Sequence, residues 1–125
     1  MSLDVSLMGE TTALECQCPR CYNMHRCEEA DGLYSANITH NLGGMARAAG
    51  VYQACWRPEE IGAVKAKDIV PLLRLGITDM RREPAMFKEF DSPNGWGTYE
   101  QFLPWLEAYL AACEANPEAT IRVSV

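Results

Sequence analysis

Four cysteines and a histidine fall within Cys16-Gln-Cys18-Pro-Arg-Cys21-Tyr-Asn-Met-His25-Arg-Cys27, in a chain of 125 residues with six cysteines in all. Thiolate sulfur and neutral imidazole nitrogen are the ligands that zinc takes tetrahedrally. Cys18-Pro-Arg-Cys21 makes one ligand pair, and its proline suits a backbone turning tightly around a metal. The second pair is either Cys16 with Cys27 or His25 with Cys27. The expectation is a structural zinc on Cys16, Cys18, Cys21 and Cys27, with His25 as the alternative ligand. The competing reading is a set of reduced, partly buried thiols on a hairpin. A redox role is the third, because Cys18 and Cys21 have the redox spacing but no βαβ context. An open catalytic zinc is not implied, since no water-activating partner is identifiable.

A second constellation is Asn37-Ile-Thr39-His40-Asn41-Leu-Gly43-Gly44. Four polar side chains crowd what reads as a helix start, where free N–H groups favour an anion. Paired glycines in a helix are costly, so something should approach the backbone there. Capping by Thr39 alone is the simpler account. A third is the loop Asn94-Gly95-Trp96-Gly97, with Trp56-Arg57 elsewhere in the chain. Its tryptophan either anchors the loop to the core or stacks on a planar ligand. The candidate ligand site is therefore Asn37, Thr39, His40, Asn41 and Trp96. The sequence holds no Gly-rich phosphate loop, no Ser-His-Asp order and no convincing carboxylate pair. No catalytic residue can be named, and Glu28-Glu29 and Glu59-Glu60 read as solvated charges.

The strings Asn37-Ile-Thr-His-Asn41, Trp56-Arg-Pro-Glu-Glu60 and Asn94-Gly-Trp-Gly97 together resemble a family of small phage and bacterial proteins. The resemblance spans most of residues 33–125. It implies a microbial or viral origin and a cytosolic setting, and brings no activity, cofactor or catalytic residue.

Elements must position these groups. Leu3-Asp-Val5-Ser-Leu7 alternates apolar and polar, as does Thr120-Ile-Arg-Val-Ser-Val125, so both read as half-buried strands that pair. The cysteine segment between Leu14 and Leu33 reads as a hairpin with Pro19-Arg20 at its tip. A helix is expected from near Thr39, with Ile38, Leu42, Met45, Ala49, Tyr52 and Trp56 on one face. Gly50 can divide it. Pro58 suits the first position of the next helical segment.

Ile69, Leu72, Leu73, Ile77 and Met80 outline another helix, with Pro71 near its start and Pro84 past its end. After the Asp91–Gly97 loop, Thr98 and Gln101 form a capping box for a helix. Phe102, Leu106, Tyr109, Leu110 and Cys113 are its inner face. Pro104 should bend it slightly, and Asn116-Pro117 stops it. Leu42, Met45, Leu72, Ile77, Phe102, Leu106 and Leu110 should be buried. Cys55 and Cys113 read as small buried hydrophobes.

The expected fold is α+β. A small sheet, made of an N-terminal strand, the cysteine hairpin and a C-terminal strand, packs with three to four helices. The chain reads as a single domain over 1–125, with strand and cysteine hairpin at 1–36, a helical body at 37–116 and a terminal strand at 119–125. With 48% hydrophobic residues the chain can bury a core without a metal. A net charge of −6 disfavours a nucleic-acid surface, and Arg81-Arg82 reads as a solvated face. No apolar run approaches the length of a membrane span, and no secretory signal opens the chain, so a cytoplasmic location is expected.

The leading functional expectation is a non-enzymatic binding or interaction module with a structural zinc corner, meeting an unidentified protein or small molecule. The alternative is a small-ligand or nucleotide-binding enzyme with its site at Asn37–Asn41 near the Trp96 loop.

Overall fold

The computed structural model describes residues 2–9 and 32–125. Among these, three strands form one antiparallel sheet in the order β2-β1-β3: β1 Ser2–Met8, β2 Gly32–Thr39 and β3 Thr120–Ser124. The alternation at both ends of the chain drives this arrangement. Leu3, Val5 and Leu7 face one side and are fully buried. Their cross-strand partners are Ile38, Ala36 and Tyr34 on β2, and Val5 and Leu7 also face Val123 and Ile121 on β3. These partners pack on the core as partly buried side chains. The terminal strands pair as expected, and β1 is the centre of the sheet.

Against the buried face lie five α-helices: α1 Gly43–Ala49, α2 Tyr52–Trp56, α3 Val70–Arg82, α4 Pro84–Lys88 and α5 Tyr99–Ala115. Among the described residues the helical body is five α-helices beside the expected three to four, because punctuation residues cut short segments out of longer patterns. Gly50 closes α1 at φ 77°. That left-handed turn suits glycine, which has no Cβ to clash. Pro84 separates α4 from α3, since Glu83 before it takes φ −129°, ψ 60°, outside the helical region. Pro58 opens its 3₁₀ segment and Pro71 is the second residue of α3, near the start as expected.

The core is continuous from sheet to helices. Leu73, Gly76, Ile77 and Met80 face inward on α3, and Tyr99, Phe102, Leu106, Tyr109 and Cys113 on α5. Ion pairs Arg74–Glu114 and Arg81–Glu107 bridge the exposed side of the α3–α5 contact. Leu42, Met45, Ile77, Phe102 and Leu106 are buried as expected, but Leu72 and Leu110 are only half-buried. Each lies on the shoulder of its helix, where the apolar stripe meets solvent. The segment before α3 is tied to the strand end: Ala66 N–H donates to Ala119 O at 2.8 Å, and Ile121 N–H to Val64 O at 2.9 Å.

One expectation fails at the sheet's edge. The helix expected from Thr39 does not begin there. Residues to Thr39 are strand, His40–Leu42 is a 3₁₀ turn, and α1 starts at Gly43. Ile38 is therefore a strand residue, and the expected helical body at 37–116 begins inside β2. The cysteine hairpin, with Cys16, Cys18, Cys21, His25 and Cys27, lies outside the described residues.

Candidate functional site

Where β2 ends and the chain turns into α1, a cleft of about 960 Å³ opens beside the sheet. Its walls include Asn37, Thr39, His40, Asn41 and Trp96, the five residues singled out in the sequence, together with Arg57. Ser2, Ile38 and Val125 complete it. Register explains the meeting: Ser2 pairs with Thr39, and Ser124 pairs with Asp4, so all three strands bring one end to the same place.

Each polar group arrives there for a local reason. Trp105 on α5 donates its indole N–H to Asn37 O at 3.0 Å, holding the end of β2. Thr39 Oγ1 accepts from Asn41 N–H at 3.3 Å and caps the 3₁₀ turn. Asn41 Nδ2 then donates to Trp96 O at 2.8 Å, joining the strand end to the 92–97 loop. Arg57 follows α2 as its C-terminal cap.

The loop itself is closely held. Ser92 N–H donates to Gly97 O and Gly95 N–H to Ser92 O, both at 3.0 Å. Trp96 N–H donates to Asn94 Oδ1 at 3.0 Å, and Gln101 Oε1 accepts from Gly97 N–H and Thr98 N–H. Gln101 thereby fulfils its half of the expected capping box. Gly97 has φ 110°, and a Cβ there would lie 3.1 Å from both Thr39 Cγ2 and Asn41 Cβ. Its lack of a side chain lets the loop press against the strand end.

Trp96 does not anchor this loop. Its side chain is 70% exposed, the most exposed of the large hydrophobic residues described. Backbone and amide hydrogen bonds fix the loop instead, and the indole stands out as a flat apolar face at the cleft. The paired glycines also differ from expectation. A Cβ on Gly44 would meet Phe90 at 3.5 Å and one on Gly43 would meet Tyr52 at 3.8 Å, both ordinary contacts. The close approach is at Gly76, where a Cβ would lie 2.3 Å from Val51 Cγ1.

His40 has a defined hydrogen-bonding state. The indole N–H of Trp56 donates to His40 Nδ1 at 3.0 Å. An indole N–H only donates, so Nδ1 carries a lone pair and the ring's proton is on Nε2. Trp56 is itself immobilised, stacked on Tyr52 at 5.4 Å and edge-on to Phe102 at 6.3 Å. His40 Nε2 is enclosed and has no partner among the described residues. A buried donor left unpaired costs about 1–3 kcal/mol.

The charge of the wall is one-sided. Among the described residues, Arg57 is its only Lys or Arg, and no Asp or Glu side chain lines it. Glu59 approaches Arg57 Nη1 at 4.0 Å, with both side chains substantially exposed. That distance exceeds a hydrogen bond, and such surface pairs are weak.

Outside the cleft, the described thiols have the environment expected of them. Cys55 and Cys113 are fully buried. Burial, then the Glu114 charge, pushes the Cys113 thiol up to about 12, and burial raises Cys55 as well. Thiols so disfavoured as thiolates are poor nucleophiles. Among the described residues no three histidine, cysteine, aspartate or glutamate side chains gather as a metal site. No described helix is long and apolar enough to cross a membrane.

Sequence reading missed Arg57 as part of the wall, and Ser2, Ile38 and Val125 with it. Only the register brings these into one place, although Trp56-Arg57 stands out as a string. Scans against known protein families, curated proteins and solved structures match nothing to this chain, so they neither support nor redirect the resemblance noted above.

Proposed function

We propose that the protein is a non-enzymatic binding module whose ligand is a small molecule seated in the cleft at the end of β2. The carrying observation is Trp96, a 70% exposed indole on a hydrogen-bonded loop, at the rim of a cleft lined by convergent polar side chains. An exposed aromatic is an expected cost to solubility unless something covers it, and convergent polar groups beside it give a ligand orientation. The described wall offers amides, hydroxyls and one guanidinium, while the His40 imidazole is engaged at Nδ1 and enclosed at Nε2. It is equipped to hold a molecule. Among the described residues no carboxylate, thiol or amine side chain lines the cleft as a nucleophile or general base.

The test is a thermal-shift screen of nucleosides, nucleotides, sugars, amino acids and aromatic acids, with hits followed by NMR. A hit should raise the melting temperature and move the Trp96 indole and Asn41 side-chain signals. Hits that leave both signals in place, or no hit at all, contradict the reading. Conversion of a hit to product would support the enzyme alternative at the same residues.

The zinc corner belongs to the same proposal. Met8 on β1 pairs with Gly32 on β2, so the strands bracketing the cysteine segment leave the sheet side by side. A metal on Cys16, Cys18, Cys21 and Cys27, or on His25 in place of one thiolate, would staple that connection. Purified protein should then carry about one zinc per chain, and a chelator should lower the melting temperature. Metal-free protein with unchanged melting would remove the zinc.

A further inference from the structure

The cleft's own chemistry narrows the class of ligand. We infer that it takes a planar ring bearing an oxyanion, with the ring on the Trp96 indole and the oxyanion at Arg57. This rests on the cleft being the ligand site. Three features of the wall point the same way. Trp96 presents an exposed flat face, which favours a planar partner over a saturated one. Arg57 is the one cationic side chain of the wall among the described residues, and a guanidinium suits the two oxygens of a carboxylate or phosphate. Asn37, Asn41, Thr39 and Ser2 add amide and hydroxyl groups, with no acidic side chain among the described lining residues to repel an anion.

Glu59 sharpens the inference. It lies 4.0 Å from Arg57 Nη1 and does not line the cleft. A ligand oxyanion would compete with it for the guanidinium. Neutralising Glu59 should therefore improve binding of an anionic ligand and leave a neutral one unaffected. A role of Glu59 confined to folding would not produce that split.

Calorimetry on the full chain with four probes tests this: adenosine monophosphate, adenosine, inorganic phosphate and benzoate. Adenosine monophosphate should bind, and adenosine should bind about tenfold more weakly, the usual scale for losing one charge-assisted hydrogen bond. Phosphate alone should bind more weakly than the nucleotide because it leaves Trp96 uncovered. Benzoate reports whether a carboxylate serves as well as a phosphate.

Arg57→Gln should weaken the nucleotide about tenfold with the melting temperature unchanged, and Glu59→Gln should strengthen it by up to about fivefold. Raising salt should weaken the nucleotide and not adenosine. Adenosine binding as tightly as its monophosphate, or Arg57→Gln leaving nucleotide affinity intact, overturns the inference. If a neutral molecule from the wider screen moves Trp96 while all four probes fail, the oxyanion class is wrong and the cleft remains the site. If nothing moves Trp96, both fall.

Discussion

At the scale of single residues, the cleft depends on groups whose geometry leaves little choice. Gly97 is one. Its φ of 110° is one that side-chain-bearing residues rarely adopt, and a Cβ would lie a tight 3.1 Å from Thr39 and Asn41. Gly97→Ala should destabilise the fold by about 1–3 kcal/mol, the cost of a residue forced into a sparsely populated conformation. It should also weaken any ligand that covers Trp96, because the loop can no longer press on the strand end. Chemical denaturation and a binding titration read the two effects separately.

Asp68 gives a second residue-level test. Hydrogen bonds from Lys65 N–H, then Val64 N–H, hold its carboxyl below the usual range. A carboxyl depressed in the folded state stabilises the fold above its unfolded value and loses that contribution as pH falls through its folded one. The stability gap between wild type and Asp68→Asn should therefore be widest near neutrality and close in acid, below about pH 4. A gap that stays constant down to acid would contradict the assignment. The polar types at 37–41 and the glycine-flanked Trp96 are legible in the sequence because such residues are unusual at such density. Arg57 as a wall residue is not, since Trp56-Arg57 stands out as a string but nothing local places it at the cleft.

At the scale of elements, alternation reports both terminal strands faithfully. Its signal in Leu33–Ile38 is weaker. Tyr34, Ala36 and Ile38 do point inward, but Ala36 is small and Asn37 and Thr39 resemble a helix cap. A cap and a strand end use the same residue types, which is why the helix start is misplaced by four residues, from Thr39 to Gly43. Thr39 does cap, but it caps a 3₁₀ turn. The glycines teach a related lesson. Helical glycine signals close packing only when a neighbour lies there, and the neighbour is a tertiary fact. Gly44→Ala should leave stability unchanged or raise it by up to about 1 kcal/mol. Gly76→Ala should lower it by about 1–3 kcal/mol, because buried Val51 must move out of a packed core. Equal effects from the two would show that α3 does not sit against Val51 as described.

At the scale of the whole molecule, one core joins the sheet to α3 and α5, so stability and the cleft are separable. Leu106 is fully buried at the centre of that core. Leu106→Ala should cost about 2–5 kcal/mol without altering which ligands bind, since it lines no part of the cleft. Trp96→Ala should do the reverse, removing binding at little cost in stability, because its side chain is 70% exposed. The α+β class was legible because the apolar periods at the chain ends and in its long helices agree with one another. The cleft as a cavity was not, because it forms only where three strand ends, the turn after β2, Arg57 and a distant loop meet.

The most direct measurement follows the Trp96 indole and Asn41 side-chain amide by NMR during titration with adenosine monophosphate, in wild type and in Arg57→Gln. The account predicts that both signals move together and saturate in wild type, and that the same shifts need about tenfold more nucleotide in the variant. Shifts confined to residues away from the cleft, or identical titrations in the two proteins, would contradict it.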